Sequence, residues 1–289
     1  MLIRLLAMPV LEKKNLGNGW EAQLNLGFSK SHSRTILDYR KHHGPLQVQK
    51  PFYPESNGVN HTYILHPPGG VVGGDHLSIH VDVSSNAHAL ITTPAAGKFY
   101  RSAGPIARQE QNIKVASKGT LEWFPSENII FSGAQIQIKT RVELARDSDF
   151  IAWEIFCLGQ PASGRYFDRG ELDQRFEIWR DGSPLRIERL KIKGGGPTLG
   201  AKWGLLGFPV VGNMVCVTDQ KDLLGSLREC SGTPVQGDLL SVTYIDGVIL
   251  CRYLGNNTER AKHYFIRLWK KLRPFVMNCE AVEPRIWKT

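Results

Sequence analysis

Five histidines (His61, His66, His76, His80 and His88) fall within a short stretch that also holds Asp75 and Asp82. Imidazole and carboxylate together suit borderline ions such as nickel or zinc. No pair has the tight spacing of a committed site, so surface or core histidines are the first reading and a ligand set the alternative. The acids set among apolar residues are more unusual. Glu154 lies inside FIAWEIFCL, the run Phe150 to Leu158, where an unpartnered ionised carboxylate costs on the order of several kcal/mol. Something must compensate. An arginine elsewhere in the chain is the plain expectation; the functional one is an oxygen ligand lining a water-filled passage or serving as a transient metal stop. Glu188, within PLRIERLKI, lies between Arg186 and Arg189, which favours a simple ion pair, and Glu122 beside Trp123 reads the same way.

Other chemistries find less support. Gly195, Gly200 and Lys202 approach a phosphate-binding loop, but Ala201 and Trp203 break the pattern and no strong strand precedes it. Nucleotide hydrolysis is therefore not expected of this chain. No G-x-S-x-G turn marks a nucleophile. Catalytic carboxylates dispersed along a β-rich chain leave a hydrolase as the alternative function, since spatial separations are hidden in a sequence. The five cysteines are scattered without a CxxC pair, which argues against a disulfide framework and a structural zinc site. A net charge of +9 favours acidic partners or nucleic acid. No RNP-like signature, C2H2 spacing or long basic run accompanies it, so a nucleic-acid module ranks last. No apolar run has membrane-spanning length. The opening MLIRLLAMPVLEKK carries Arg4 and lacks a convincing cleavage site, so it is not read as a signal peptide and a cytoplasmic address is expected.

The elements that must position these groups are mostly strands. Trp20 to Phe28, Leu77 to Val83 and Ala134 to Leu144 alternate apolar and polar residues with a period of two. Thr35 to Tyr39, Ile106 to Val115 and Thr120 to Phe124 read as further strands, and Asp181-Gly182 and Asp246-Gly247 are strong hairpin signals. Many short strands with Gly and Pro turns imply a mainly β core of stacked sheets. Towards the C-terminus, Asp219 to Cys230 reads as a helix. A second helix is expected to be capped by Asn256 with Glu259 three residues on, to carry the stripe Ala261, Tyr264, Phe265, Leu268 and Leu272, and to end at Pro274. Gly194 to Gly196 is the expected seam between a strand-rich body (1–193) and a smaller α+β part (194–289), the two sharing one core. No internal repeat is evident.

HPPGGVVGGD from His66, TTPAAGKFYRS from Thr92, LEWFPSENIIFSGA from Leu121 and PRIW from Pro284 are long, irregular motifs. With the stretch from PFYP at Pro51 to Thr289, they resemble the urease accessory protein UreD family, called UreH in some bacteria. That resemblance implies a maturation factor, not an enzyme. It further implies a complex with UreF and the GTPase UreG that docks on apo-urease so that nickel and carbon dioxide can be installed. The implied fold is a β-rich α+β protein resembling a β-helical coil of stacked strands, with two helices in the C-terminal part. No cofactor is held permanently, nickel being transient, and the acids matching Glu154 and Glu188 are implied linings of a nickel passage. Two departures from the family pattern stand out. Gln160 and Arg165 replace a usual Arg and Glu, altering both charges of a pair, and Gly97 stands where Ser or Thr is common.

Overall fold

The computed structural model describes residues 19–231 and 237–288; the opening segment weighed above as a signal peptide lies outside them. In chain order the strands are β1 (Glu21–Ser31), β2 (Arg34–His43), β3 (Gln47–Val48), β4 (Asn60–Leu65), β5 (His76–Val83), β6 (His88–Thr92) and β7 (Gly97–Phe99). They continue with β8 (Ala107–Val115), β9 (Thr120–Phe124), β10 (Asn128–Ile130), β11 (Gln135–Leu144), β12 (Asp149–Gln160), β13 (Arg165–Tyr166), β14 (Glu171–Arg180) and β15 (Ser183–Lys193). Strand β16 (Val210–Val217), helix α1 (Leu223–Ser231), β17 (Leu239–Ile245), β18 (Val248–Gly255) and helix α2 (Thr258–Met277) complete the order.

The chain winds. From β4 to β12 it alternates between two sheets, one ordered β15-β14-β11-β8-β5-β1-β2 and the other β17-β18-β16-β12-β9-β6-β4-β3. Each strand lies parallel to the one a coil earlier, as in β5–β8–β11–β14 and β4–β6–β9–β12. The result is a β-solenoid-like stack, in which the period-two pattern points Leu77, Ile79, Val81 and Val83 of β5 into the space between the sheets. The turns between sheets stack as well. The amide of Ala116 donates to Val83 and that of Ala145 to Val115, at 2.9 Å each. A structural repeat is therefore present where the sequence showed none: coils are matched by shape and by inward apolar residues, while their turns, Ser84 to Ala87, Ala116 to Gly119 and Ala145 to Ser148, share Ala and Ser but in no common order and at unequal spacing. Asp181 and Gly182, at φ 48° and 76°, reverse the chain and convert the last coil into the β14–β15 hairpin.

Strands β16 and β18 extend the second sheet beyond β12 in antiparallel fashion. Alternate residues of β12 serve different cores. Phe150, Ala152, Phe156 and Leu158 face the first sheet, whereas Ile151, Trp153, Ile155 and Cys157 pack with α2 through Phe265, Leu268 and Trp269. Gly212 permits that docking, because a Cβ there would meet the Phe265 ring at 2.9 Å. Helix α2 begins one residue later than expected. Asn257, with extended backbone, is the cap, and its side chain accepts from the amide of Arg260 at 2.9 Å. Pro274 does not end the helix, which runs on to Met277 because the final turn buries Val276 and Met277. Helix α1 is shorter than expected, starting at Leu223 rather than Asp219.

Candidate functional site

Glu154 sits on β12 with its carboxylate between the two sheets, only 6% exposed. Among the described residues no arginine takes the expected place beside it. Its oxygens instead meet neutral groups from the facing sheet: Gln174 of β14 donates from Nε2 to Oε2 at 2.6 Å, and Thr140 of β11 places Oγ1 3.0 Å from Oε1. Thr140 also donates to Oε1 of Gln111 on β8. A hydroxyl carries one hydrogen. When it is given to Gln111, the contact with Glu154 is satisfied by a protonated carboxyl that donates to Thr140. Burial accordingly pushes the Glu154 carboxyl up to about 7, a nearby Glu188 charge adds to the rise, and the Thr140 and Gln174 contacts oppose it.

Glu188 lies on the edge strand β15, opposite Phe176 of β14. Its Oε1 accepts from Arg186 at 2.6 Å and, across the gap between the sheets, from Arg252 of β18 at 2.6 Å. Arg189, the other expected partner, turns away to Asp173 at 2.6 Å. The ion-pair expectation thus holds for Glu188 with one partner exchanged.

Three cavities adjoin these acids. The first, about 370 Å³, lies between the sheets behind the loops 66–71 and 93–99, is largely apolar, and ends at Gln111 and Glu154. A second of about 10 Å³, room for roughly one water, is walled by Glu154, Gln174, Asn213 and Glu188. The third, about 350 Å³, opens at the sheet edge and shares Gln174, Asn213 and Glu188 with the second, with Arg186 and Arg252 on its rim. Glu154 stands where the first two meet and Glu188 where the last two meet.

The histidines are not gathered. His61 pairs with Glu55 at 2.7 Å, His88 with Glu122 at 2.7 Å, and His80 with Ser78 at 3.0 Å, while His76 lies 3.3 Å from Glu21. His66 lines the large cavity, and burial lowers its pKa against an opposing pull from Asp75. Asp75 itself accepts backbone amides from Trp20 and Val72. Among the described residues no group of three or more His, Cys, Asp or Glu side chains could hold a metal ion. The segment around Gly195 and Lys202 forms a short 3-10 turn over Pro197–Leu199. Gln160 and Arg165 face each other in the β12–β13 pair, so both residues of the first departure noted above fall in one cross-strand contact. At Gly97 a Cβ would lie 2.4 Å from Oδ1 of Asn128, and a larger residue requires that asparagine to move.

A second buried charge cluster went unread in the sequence. Arg273 of α2, wholly buried, donates to Glu122 of β9 and to Glu55, with His88, His61 and Trp269 completing the shell. Burial pushes the Glu122 carboxyl upward, but His88 and Arg273 outweigh it and hold the group down at about 2. The one sequence signal was Glu122 in an apolar strand. Its arginine lies 151 positions away.

Fold and site together describe a coiled β-scaffold with a row of cavities between its sheets, joined at buried carboxylates. The model of the family described as UreD urease accessory protein matches residues 21–288. Urease accessory protein UreD of Alcanivorax borkumensis is 44% identical over 276 residues, covering 94% of this chain and 93% of that protein. The proteins of that name from Dechloromonas aromatica and Escherichia coli are each 42% identical, covering 93% and 94% of this chain and 95% and 98% of their own lengths. The chain belongs to the UreD urease accessory protein family. No helix among the described residues is long and apolar enough to cross a membrane.

Proposed function

We propose that this protein is a non-catalytic urease maturation factor of the cytoplasm, which docks on apo-urease with UreF and the GTPase UreG and passes nickel towards the urease active site. The observation that carries the reading is the placement of Glu154 and Glu188 at the two junctions of three successive cavities between the sheets. Oxygen donors spaced along a path, none gathered into a closed site, suit an ion that is handed on. Nickel is the cargo here. Membership of a family of urease accessory proteins supports the same reading. Gln111, Thr140, Gln174 and Asn213 supply neutral oxygen and amide groups beside the acids, so a cation leaving one carboxylate has polar side chains within the otherwise apolar walls.

Co-expression with the urease subunits and the other accessory proteins tests this. Glu154→Ala and Glu188→Ala are expected to leave the complex assembled while lowering the nickel content of purified urease severalfold. Metal analysis showing equal nickel in both variants would make the acids purely structural. A chain that co-purifies with neither urease nor UreF would reject the docking role.

A further inference from the structure

The outer mouth of the cavity row carries the wrong charge for a cation path in the isolated protein. Two guanidinium groups, Arg186 and Arg252, converge at 2.6 Å on the single carboxylate oxygen Oε1 of Glu188, which leaves one positive charge in excess at that point. Nearby Arg189 and Lys191 are each matched, by Asp173 at 2.6 Å and Glu171 at 3.0 Å, so neither pair offsets it. Like charges at this range oppose the approach of a divalent ion. Arg252 also bridges the two sheets, so its guanidinium lies across the opening.

Its placement makes it the movable member. The Arg252 side chain is 48% exposed, against 25% for Arg186, and Arg186 is held by two nitrogens to the same oxygen, Nε at 3.0 Å and Nη2 at 2.6 Å. Beside them Ile187 is exposed, its side chain on the solvent face of the edge strand. A basic rim with an exposed aliphatic residue on the adjoining outer face of the same strand is matched by a surface that brings carboxylates and a small apolar contact.

We propose that the rim formed by Arg186 and Arg252, with Ile187 beside it on the outer face of the edge strand, is the docking site for a carboxylate-bearing protein surface, whose acid takes Arg252 from Glu188 and thereby opens the mouth. This rests on the reading of the cavity row as a metal path. It adds that the path is shut until the partner is seated, and that the partner's acid becomes the next oxygen donor in line.

The test uses the full chain co-expressed with the urease structural and accessory proteins, with docking read by co-purification and transfer read by nickel in urease. Arg252→Glu is expected to weaken co-purification at least tenfold with an unchanged melting temperature, and Arg252→Gln to weaken it less. Arg40→Glu, on the exposed β2 at the opposite edge of the same sheet, is expected to have no effect. A photo-crosslinking residue at position 187 is expected to label a partner peptide that contains Asp or Glu. Unchanged co-purification of Arg252→Glu, a labelled peptide without acids, or labelling of a second copy of this chain would each overturn the proposal. The two readings part cleanly. If Glu154→Ala loses nickel while Arg252→Glu docks normally, the path stands and this proposal falls; if Arg252→Glu fails to dock while Glu154→Ala loads normally, the surface stands without the path.

Discussion

Glu122 and Glu154 are both buried carboxylates in the second sheet, on adjacent strands β9 and β12, yet they point to opposite faces and have opposite fates. On the helix side, Glu122 is met by Arg273, His88 and Trp269 and held near 2. On the inner side, Glu154 is met by a hydroxyl and an amide and rises to about 7. Both sites are dry. What separates them is whether a permanent cation was built in, so the first acid is committed to holding α2 in place and the second keeps its oxygens available.

The comparison is broken most severely at Arg273. Arg273→Met strands Glu55 and Glu122 in an apolar seam, and urea unfolding is expected to show a loss of about 3–5 kcal/mol. Because the folded-state pKa of Glu122 lies below its ordinary value of 4.5, its contribution is present above that pH and disappears as pH falls towards about 2. The wild type should therefore lose stability across that window, and the variant should show less of the loss.

Glu154 runs the other way. Its folded-state pKa is above the ordinary 4.5, so the folded protein binds the extra proton and stability declines as pH rises from 4.5 through about 7. Glu154→Gln keeps the shape without the charge. Paired unfolding curves are expected to coincide near pH 4.5 and to favour the variant by up to about 3 kcal/mol at pH 8. A variant less stable than wild type at pH 8 would mean that the charged form is the one the fold supports. The smallest effect is expected at the start of α2. Asn257→Ala removes the cap of the helix that carries Arg273 but touches neither carboxylate, and a loss of about 1 kcal/mol with an unchanged pH profile is expected.

Much of the body could be read from residue types. Alternation in Leu77 to Val83 and Ala134 to Leu144, and the Asp-Gly turns at 181 and 246, depend on neighbours close in sequence, and the strands and hairpins fell where those local rules placed them. The identity of the partners was not legible. Glu154 was singled out correctly as a buried acid, but Thr140 and Gln174 reach it only because successive coils bring β11 and β14 opposite β12. Arg252 comes to Glu188 from 64 positions away, where the nearer Arg189 had been expected. Even the end of α2 was decided at a distance, since Pro274 is tolerated where the residues after it have a core to enter.

The winding of the chain has a last consequence for size. Because Gln111, Thr140 and Gln174 come from consecutive coils, the polar row crosses the strands and advances with the stack, each coil adding one interstrand step of about 4.8 Å. The number of turns in the scaffold is thus a ruler. Removing one would bring the two ends of the row closer by a single step while leaving the loops at either end chemically unchanged, so that reach and recognition are separately adjustable in this architecture.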